Sequence, residues 1–207
     1  MGYSLWLDPS TLKSVGKAIA DRSPGIQVAF HSAYSVSQIA QVRSGQLDAG
    51  IVILPVQADG LKVDVAHTDT LTLALPDGHR FMEQAELRLG DVGQEPVIWI
   101  GRSVHPAFCE HLLQSCLKLG LTPNIVHEVT TVQEALCLVA SGAGLSFVGS
   151  GTERAFQMKR VAFRRPTGAS LEIEVGVAYR PENASPAVQA LIAALRADCT
   201  IAAAGAN

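Results

Sequence analysis

The chain has 207 residues, enough for one large domain or two lobes of about 100 residues each. Its apolar fraction is 48% but its aromatic fraction only 5%, which excludes a disordered chain and suits an α/β core of Val, Ile, Leu and Ala. Sixteen basic and nineteen acidic residues leave a net charge of −3, so the chain lacks the basic excess of a free-standing nucleic-acid binder.

Asp8-Pro9 opens a helix, with Asp8 as N-cap and Pro9 at the first helical position. Leu12, Val15 and Ile19 repeat at helical spacing until Ser23-Pro24-Gly25 breaks the pattern. Residues 26–30 alternate and predict a strand. Ser35-Val36-Ser37-Gln38 has the form of a capping box and opens a second helix, which ends at Ser44-Gly45. Residues 49–54 form a buried strand ending at Pro55. Residues 61–66 and 71–75 read as two further strands, followed by a turn at Pro76-Asp77-Gly78.

A second α/β unit follows. Residues 96–100 predict a strand. The loop Gly101-Arg102-Ser103-Val104-His105 then leads into a helix from Pro106 to about Leu119, closed by Gly120. Residues 124–129 predict a strand. Thr131-Val132-Gln133-Glu134 is another capping box, opening a helix through Ala140. Residues 145–148, 160–163 and 171–179 predict strands. Ser185-Pro186 caps a last helix to about Arg196, and the small apolar tail from Ile201 is expected to fray. Strand, helix, strand occurs in 26–54 and again in 97–148. This alternation predicts two lobes of sheet flanked by helices, with the chain passing between them twice.

The sequence is poor in catalytic motifs. Gly144-Leu145-Ser146-Phe147-Val148 lacks the final Gly of a nucleophile elbow. Gly142-Ala143-Gly144 follows a helix and precedes a strand, the wrong order for a dinucleotide fingerprint, and reads as a helix C-cap. His105 and Cys109 share a helical face, but His111 points elsewhere, so no metal site is expected. Cys109 and Cys116 lie about 10 Å apart along one helix, too far for a disulfide, and the cysteines read as buried thiols. Lys159, Arg160, Arg164 and Arg165 read as a strand edge, not as a phosphate track. Residues 1–20 have no secretory pattern, and no apolar run reaches the length of a membrane span. A cytoplasmic, membrane-free protein is therefore expected.

The residues suited to ligand binding lie at helix starts. Helices begin at Pro9, Ser35 and Pro106, just after strands. Their free N–H groups and positive dipole ends suit a small carboxylate. Ser32, Ser35 and Ser103 offer hydroxyls at these junctions, and Arg102 offers a charge. Capping by Ser35 and ligand contact by Ser35 are compatible readings.

Several segments resemble LysR-type transcriptional regulators. QIAQVRSGQLDAG (38–50) is similar to the family segment where a helix ends in Gly and Leu-Asp leads into a strand. LCLVASGAGLSFV (136–148) resembles another, with Gly149 where the family usually has Pro. LALPDGHRF (73–81) occupies the place of a third, with Arg80 for Pro. Ser185-Pro186-Ala187-Val188 resembles the start of the family's last helix. The order and spacing of these segments cover nearly the whole chain.

The resemblance implies an α/β, two-lobed periplasmic-binding-protein type 2-like fold, each lobe a mixed sheet flanked by helices. Lobe I would be 1–69 and 176–207, and lobe II 70–175. It implies an effector-sensing and oligomerising module, a homodimer or tetramer, which binds a small organic acid between the lobes. It implies no catalysis, no cofactor and no metal, with DNA met only through an N-terminal winged helix-turn-helix that this chain lacks. Residues 96–148 look nearest to the branch that senses intermediates of aromatic catabolism such as muconate. The implied effector contacts are Trp6, Ser32, Ser35, Arg102, Ser103, Pro106, Ala107 and Phe108. Trp6 stands where a Ser often sits, and Ala107 where a polar residue is common. A transport solute-binding protein and an enzyme of the same fold are the rival readings.

Overall fold

The computed structural model describes residues 1–4, 9–156 and 158–204. In chain order the elements are β1 (Gly2–Tyr3), α1 (Pro9–Arg22), β2 (His31–Ser32), α2 (Ser35–Arg43), β3 (Ala49–Leu54), β4 (Lys62–Pro76), β5 (Pro96–Ile100), α3 (Pro106–Lys118), β6 (Asn124–Val129), α4 (Val132–Ala140), β7 (Leu145–Gly149), α5 (Thr152–Ala155), β8 (Val161–Arg164), β9 (Glu172–Tyr179) and α6 (Pro186–Ala204). Short 3-10 turns lie at Arg80–Met82, Leu89–Gln94 and Pro181–Asn183. The expected N-cap Asp8 lies outside the described residues.

Four expectations are corrected. Residues 26–30 do not form a strand; the ladder starts only at His31. The neighbour, β1, offers Gly2 and Tyr3, which pair with His31 and Ser32. Val28 and Phe30 still pack against the core, so the alternation reports burial without a ladder. Residues 61–66 and 71–75 belong to one strand, β4, which runs on through exposed Thr68 and half-buried Asp69 without a break. The Ser35 capping box does not form: Tyr34 is the N-cap, in extended conformation, and no side chain caps it. The last helix runs on to Ala204, through an Ala-rich stretch without a helix breaker.

By contacts the chain divides into two units, 1–69 with 174–207, and 70–173. In the first unit β1 pairs in parallel with β2 and β3, and β3 pairs antiparallel with β9. Successive residues point to opposite faces of a strand, and here both faces are covered. Ile51 and Val177 join Val15, Ile19, Leu191 and Leu195 in a core beneath α1 and α6. Their neighbours Val52 and Ala178 pack with Ile39 of α2 on the other face. Each fully buried Leu or Ile contributes on the order of 1.5–3 kcal/mol. After α2, Gly45 takes a left-handed φ of 81°, which only glycine adopts without strain. Arg180 closes that helix end by donating to the carbonyls of Val42 at 2.6 Å and Leu47 at 3.1 Å.

In the second unit the second half of β4 pairs antiparallel with β7 and β8. β7 and β6 flank β5 in parallel. The continuous apolar run Val97–Ile100 is buried throughout, as a strand covered on both faces requires. α3 buries Phe108, Cys109, Leu112 and Cys116, and α4 buries Val132, Ala135, Leu136 and Val139. The N-terminus of α4 is capped as its sequence predicts. Thr131 Oγ1 accepts from Glu134 N at 3.1 Å. The Glu134 carboxylate reaches one residue beyond the usual box and accepts from Thr130 N at 2.9 Å. β6 closes one side of this sheet with Ile125 and Val126 exposed.

Candidate functional site

Two helix starts carry the candidate residues, one in each unit. In the first unit, residues 31–33 run beside β1, with Ala33 N donating to Tyr3 O at 3.0 Å. Ser32 lies there on β2, exposed. The chain then turns through Tyr34 into α2. Ser35 is the first helical residue and only 1% exposed. Its Oγ accepts a hydrogen bond from Ile53 N of β3 at 3.0 Å. The hydroxyl therefore ties helix to strand instead of capping the helix, and it keeps its own proton to donate. With no side-chain cap, the first turn of α2 presents N–H groups that have no capping partner among the described residues, and the positive end of the helix dipole.

In the second unit, β5 ends at Ile100 and the loop 101–105 leads into α3. Gly101 N donates to Val129 O at 2.8 Å, which holds the loop against the end of β6. His105 is the N-cap of α3 and makes no side-chain cap bond. Pro106 occupies the first turn, where a missing N–H costs nothing. Arg102 and Ser103 are exposed, Pro106 is exposed and Ala107 is half-buried. Phe108 is an interior residue, 4% exposed, with its ring 5.4 Å from that of His105.

The electrostatics of this second start are modest. Arg102 Nη2 lies 3.3 Å from Glu110 Oε2, and both side chains are more than half exposed. The pair leaves Arg102 partly neutralised and is worth little in water. Cys109 Sγ donates to Ile100 O at 3.1 Å. Burial, reinforced by the nearby Glu128 carboxylate, pushes its thiol up to about 11. Burial pushes Cys116 up to about 12. Neither is a thiolate near neutral pH, so neither is an activated nucleophile. Among the described residues no group of three His, Cys, Asp or Glu could hold a metal ion.

Of the residues marked from sequence, Ser32 and Ser35 gather at the start of α2. Arg102, Ser103, Pro106, Ala107 and Phe108 gather at the start of α3. Trp6 lies outside the described residues. Among the basic residues, Arg164 is structural: its guanidinium donates to the carbonyls of Phe81, Gln84 and Ala85. The sequence read Gln38 only as the far end of a capping box, whereas it is fully buried beneath the start of α2. The signal was available, since Gln38 is a polar residue on the face that also carries Ser35, Ile39 and Val42.

Comparison with known proteins places these features in a family. The LysR substrate binding domain matches residues 7–200. The transcriptional regulator AlsR of Bacillus subtilis is 29% identical over 169 residues, covering 82% of this chain and 56% of that protein. BenM of Acinetobacter baylyi is 27% identical over 132 residues, covering 63% of this chain and 43% of that protein. The chain thus spans about half the length of these relatives. Among solved structures, the BenM effector binding domain with its effector benzoate matches with a TM-score of 0.79 at 21% identity, covering 97% of this chain and 92% of that one. CbnR, a LysR family transcriptional regulator, matches with a TM-score of 0.78 at 19% identity, covering 94% and 67%. These likenesses establish the fold as the periplasmic-binding-protein type 2-like fold of such domains. The chain belongs to the LysR substrate-binding domain family.

Proposed function

We propose that this chain is the effector-sensing and oligomerising module of a LysR-type transcriptional regulator and that it recognises a small organic anion without transforming it. The observation that carries the reading is the family match over residues 7–200, nearly the whole chain. Two features of the chain support it. The start of α2 offers N–H groups unclaimed by any side-chain cap, with the Ser35 hydroxyl beside them. The start of α3 likewise has no side-chain cap, with Arg102 and Ser103 in its approach loop. Such groups bind a carboxylate through charge-assisted hydrogen bonds.

The proposed contacts are Ser32 and Ser35 in one unit, and Arg102, Ser103, Pro106, Ala107 and Phe108 in the other, with Trp6 as an apolar contact. An aromatic carboxylate of the kind met in aromatic catabolism is the preferred effector, in keeping with the match to BenM. Ligand binding would change transcription only through different affinities for two states of the regulator. DNA would be held by a further domain of the regulator, in the cytoplasm.

Calorimetry with aromatic and aliphatic mono- and dicarboxylates, benzoate and muconate among them, tests this. Saturable binding of a carboxylate, weakened by Ser35→Ala by about 1 kcal/mol, is the expected result. Phe108→Ala is expected to cost more for a ligand with an apolar body, through lost burial. A ligand whose affinity ignores both substitutions would place the site elsewhere.

A further inference from the structure

Gln38 is fully buried on the inner face of α2, among Ser35, Ile39 and Val42. Its Nε2 donates to Ala33 O at 2.8 Å, one turn back along the chain and just before the helix begins. Its Oε1 is buried and has no hydrogen-bond donor among the described residues. An aliphatic side chain of similar length would avoid the cost of that desolvated acceptor.

The oxygen sits in a slot made by two glycines. A Cβ on Gly2 would lie 2.6 Å from Gln38 Oε1, and a Cβ on Gly50 would lie 2.7 Å from it. Contacts that short do not occur with real side chains, so a Cβ at either position would make the carboxamide shift from this seat. Gly2 and Gly50 are register partners across β1 and β3. The two strands thus open one gap, and Gln38 fills it.

The amide end of the same group holds the segment that enters α2. Residues 33–35 are tied at three points. Ala33 N donates to Tyr3 O, Gln38 Nε2 donates to Ala33 O, and Ile53 N donates to Ser35 Oγ. Two of these anchors run to β1 and β3, which also form the glycine slot. Removing the carboxamide would leave the carbonyl just before the helix untied and let the first turn shift on its strands.

We propose that Gln38, seated in the Gly2–Gly50 slot, is a positioning residue that fixes the first turn of α2 and, through it, affinity for the effector. It touches no ligand. This inference rests on the assignment of Ser35 and the start of α2 to effector binding. Its first readout, however, needs no ligand.

The test uses Gln38→Met, which fills the slot, removes the orphaned oxygen and cannot hold Ala33 O. Residue-resolved amide hydrogen exchange is measured on the wild type and the variant, with thermal melting alongside and benzoate titrated by calorimetry. Exchange at Ala33 and at position 38, whose N–H groups donate to Tyr3 O and Tyr34 O, should rise about tenfold while that of β3 holds, and benzoate affinity should fall about three- to tenfold, the scale of one hydrogen bond. Gly50→Ala, which displaces the carboxamide, should reproduce the local rise. Unchanged exchange at both of these amides, or a rise shared equally by β3, would make Gln38 a packing residue and overturn the proposal. Raised local exchange with unaltered benzoate affinity would overturn it as well. If benzoate does not bind the wild type, the choice of effector fails, and the exchange pattern still decides whether Gln38 anchors the helix start.

Discussion

At the scale of single residues, small side chains at strand–helix junctions do two jobs at once. The Ser35 hydroxyl accepts from β3 and keeps a proton to donate, so Ser35→Ala acts on folding as well as on ligand binding. The expected folding cost is about 1 kcal/mol, read as a lower urea midpoint with an unchanged denaturant slope. The sequence marked Ser35 as a helix cap, and the structure gives its hydroxyl to Ile53 N instead, because the capping pattern does not say which backbone N–H lies nearest. The buried cysteines give a pH dependence of definite sign. Their thiol values are raised to about 11 and 12 in the fold, from an ordinary value of 9.0. The unfolded chain therefore loses these protons first as pH rises. The contribution is fully present below pH 9 and is lost progressively as pH rises through about 11 and 12. Replacing Cys116 with Ala should flatten the stability profile of alkaline melts over that window. At pH 8 a thiol reagent should label exposed Cys137 ahead of Cys109 and Cys116. Equal labelling rates in the native protein would contradict the burial of the latter pair.

At the scale of elements, pattern and structure agree where a local rule governs both ends of an element. β5 and β6 fall on the residues their apolar runs and turn signals mark, and Pro106 opens α3. Thr131 caps α4 through the bond its spacing predicts, so Thr131→Ala should cost about 1 kcal/mol by urea denaturation. The failures are elements whose extent depends on distant backbone. Residues 26–30 have a strand's alternation, yet the ladder to β1 begins only at His31. β4 passes through polar residues 67–70 without a break, since its two halves pair with different strands. Arg164 shows the same dependence. Its three carbonyl partners lie about eighty residues away along the chain, on the segment 81–85. Arg164→Met removes those charged hydrogen bonds and should destabilise the second unit by about 1.5–3 kcal/mol. An unchanged melting temperature would show that the segment holds without it.

At the scale of the whole molecule, the family reading predicts self-association. α1 turns Val15 and Ile19 inward and leaves Lys13, Lys17 and Ala20 exposed, a mixed outer face open to a partner. Sedimentation at tens of micromolar, the ordinary range for weak interfaces, should detect dimers or larger species, and a pure monomer there would count against the reading. The sequence by itself determined the α/β class, most helices and strands, and the family, because periodicity, capping residues and glycine turns act over a few positions and survive without three-dimensional context. Only the tertiary structure decided what the polar residues at the helix starts do. Ser35 bonds Ile53, and Gln38 occupies a slot between Gly2 and Gly50. Each of these partners is set by which strands lie side by side and how closely their backbones approach. Hydrogen bonds form at distances near 3 Å whatever the separation along the chain, and nothing in local spacing encodes that proximity.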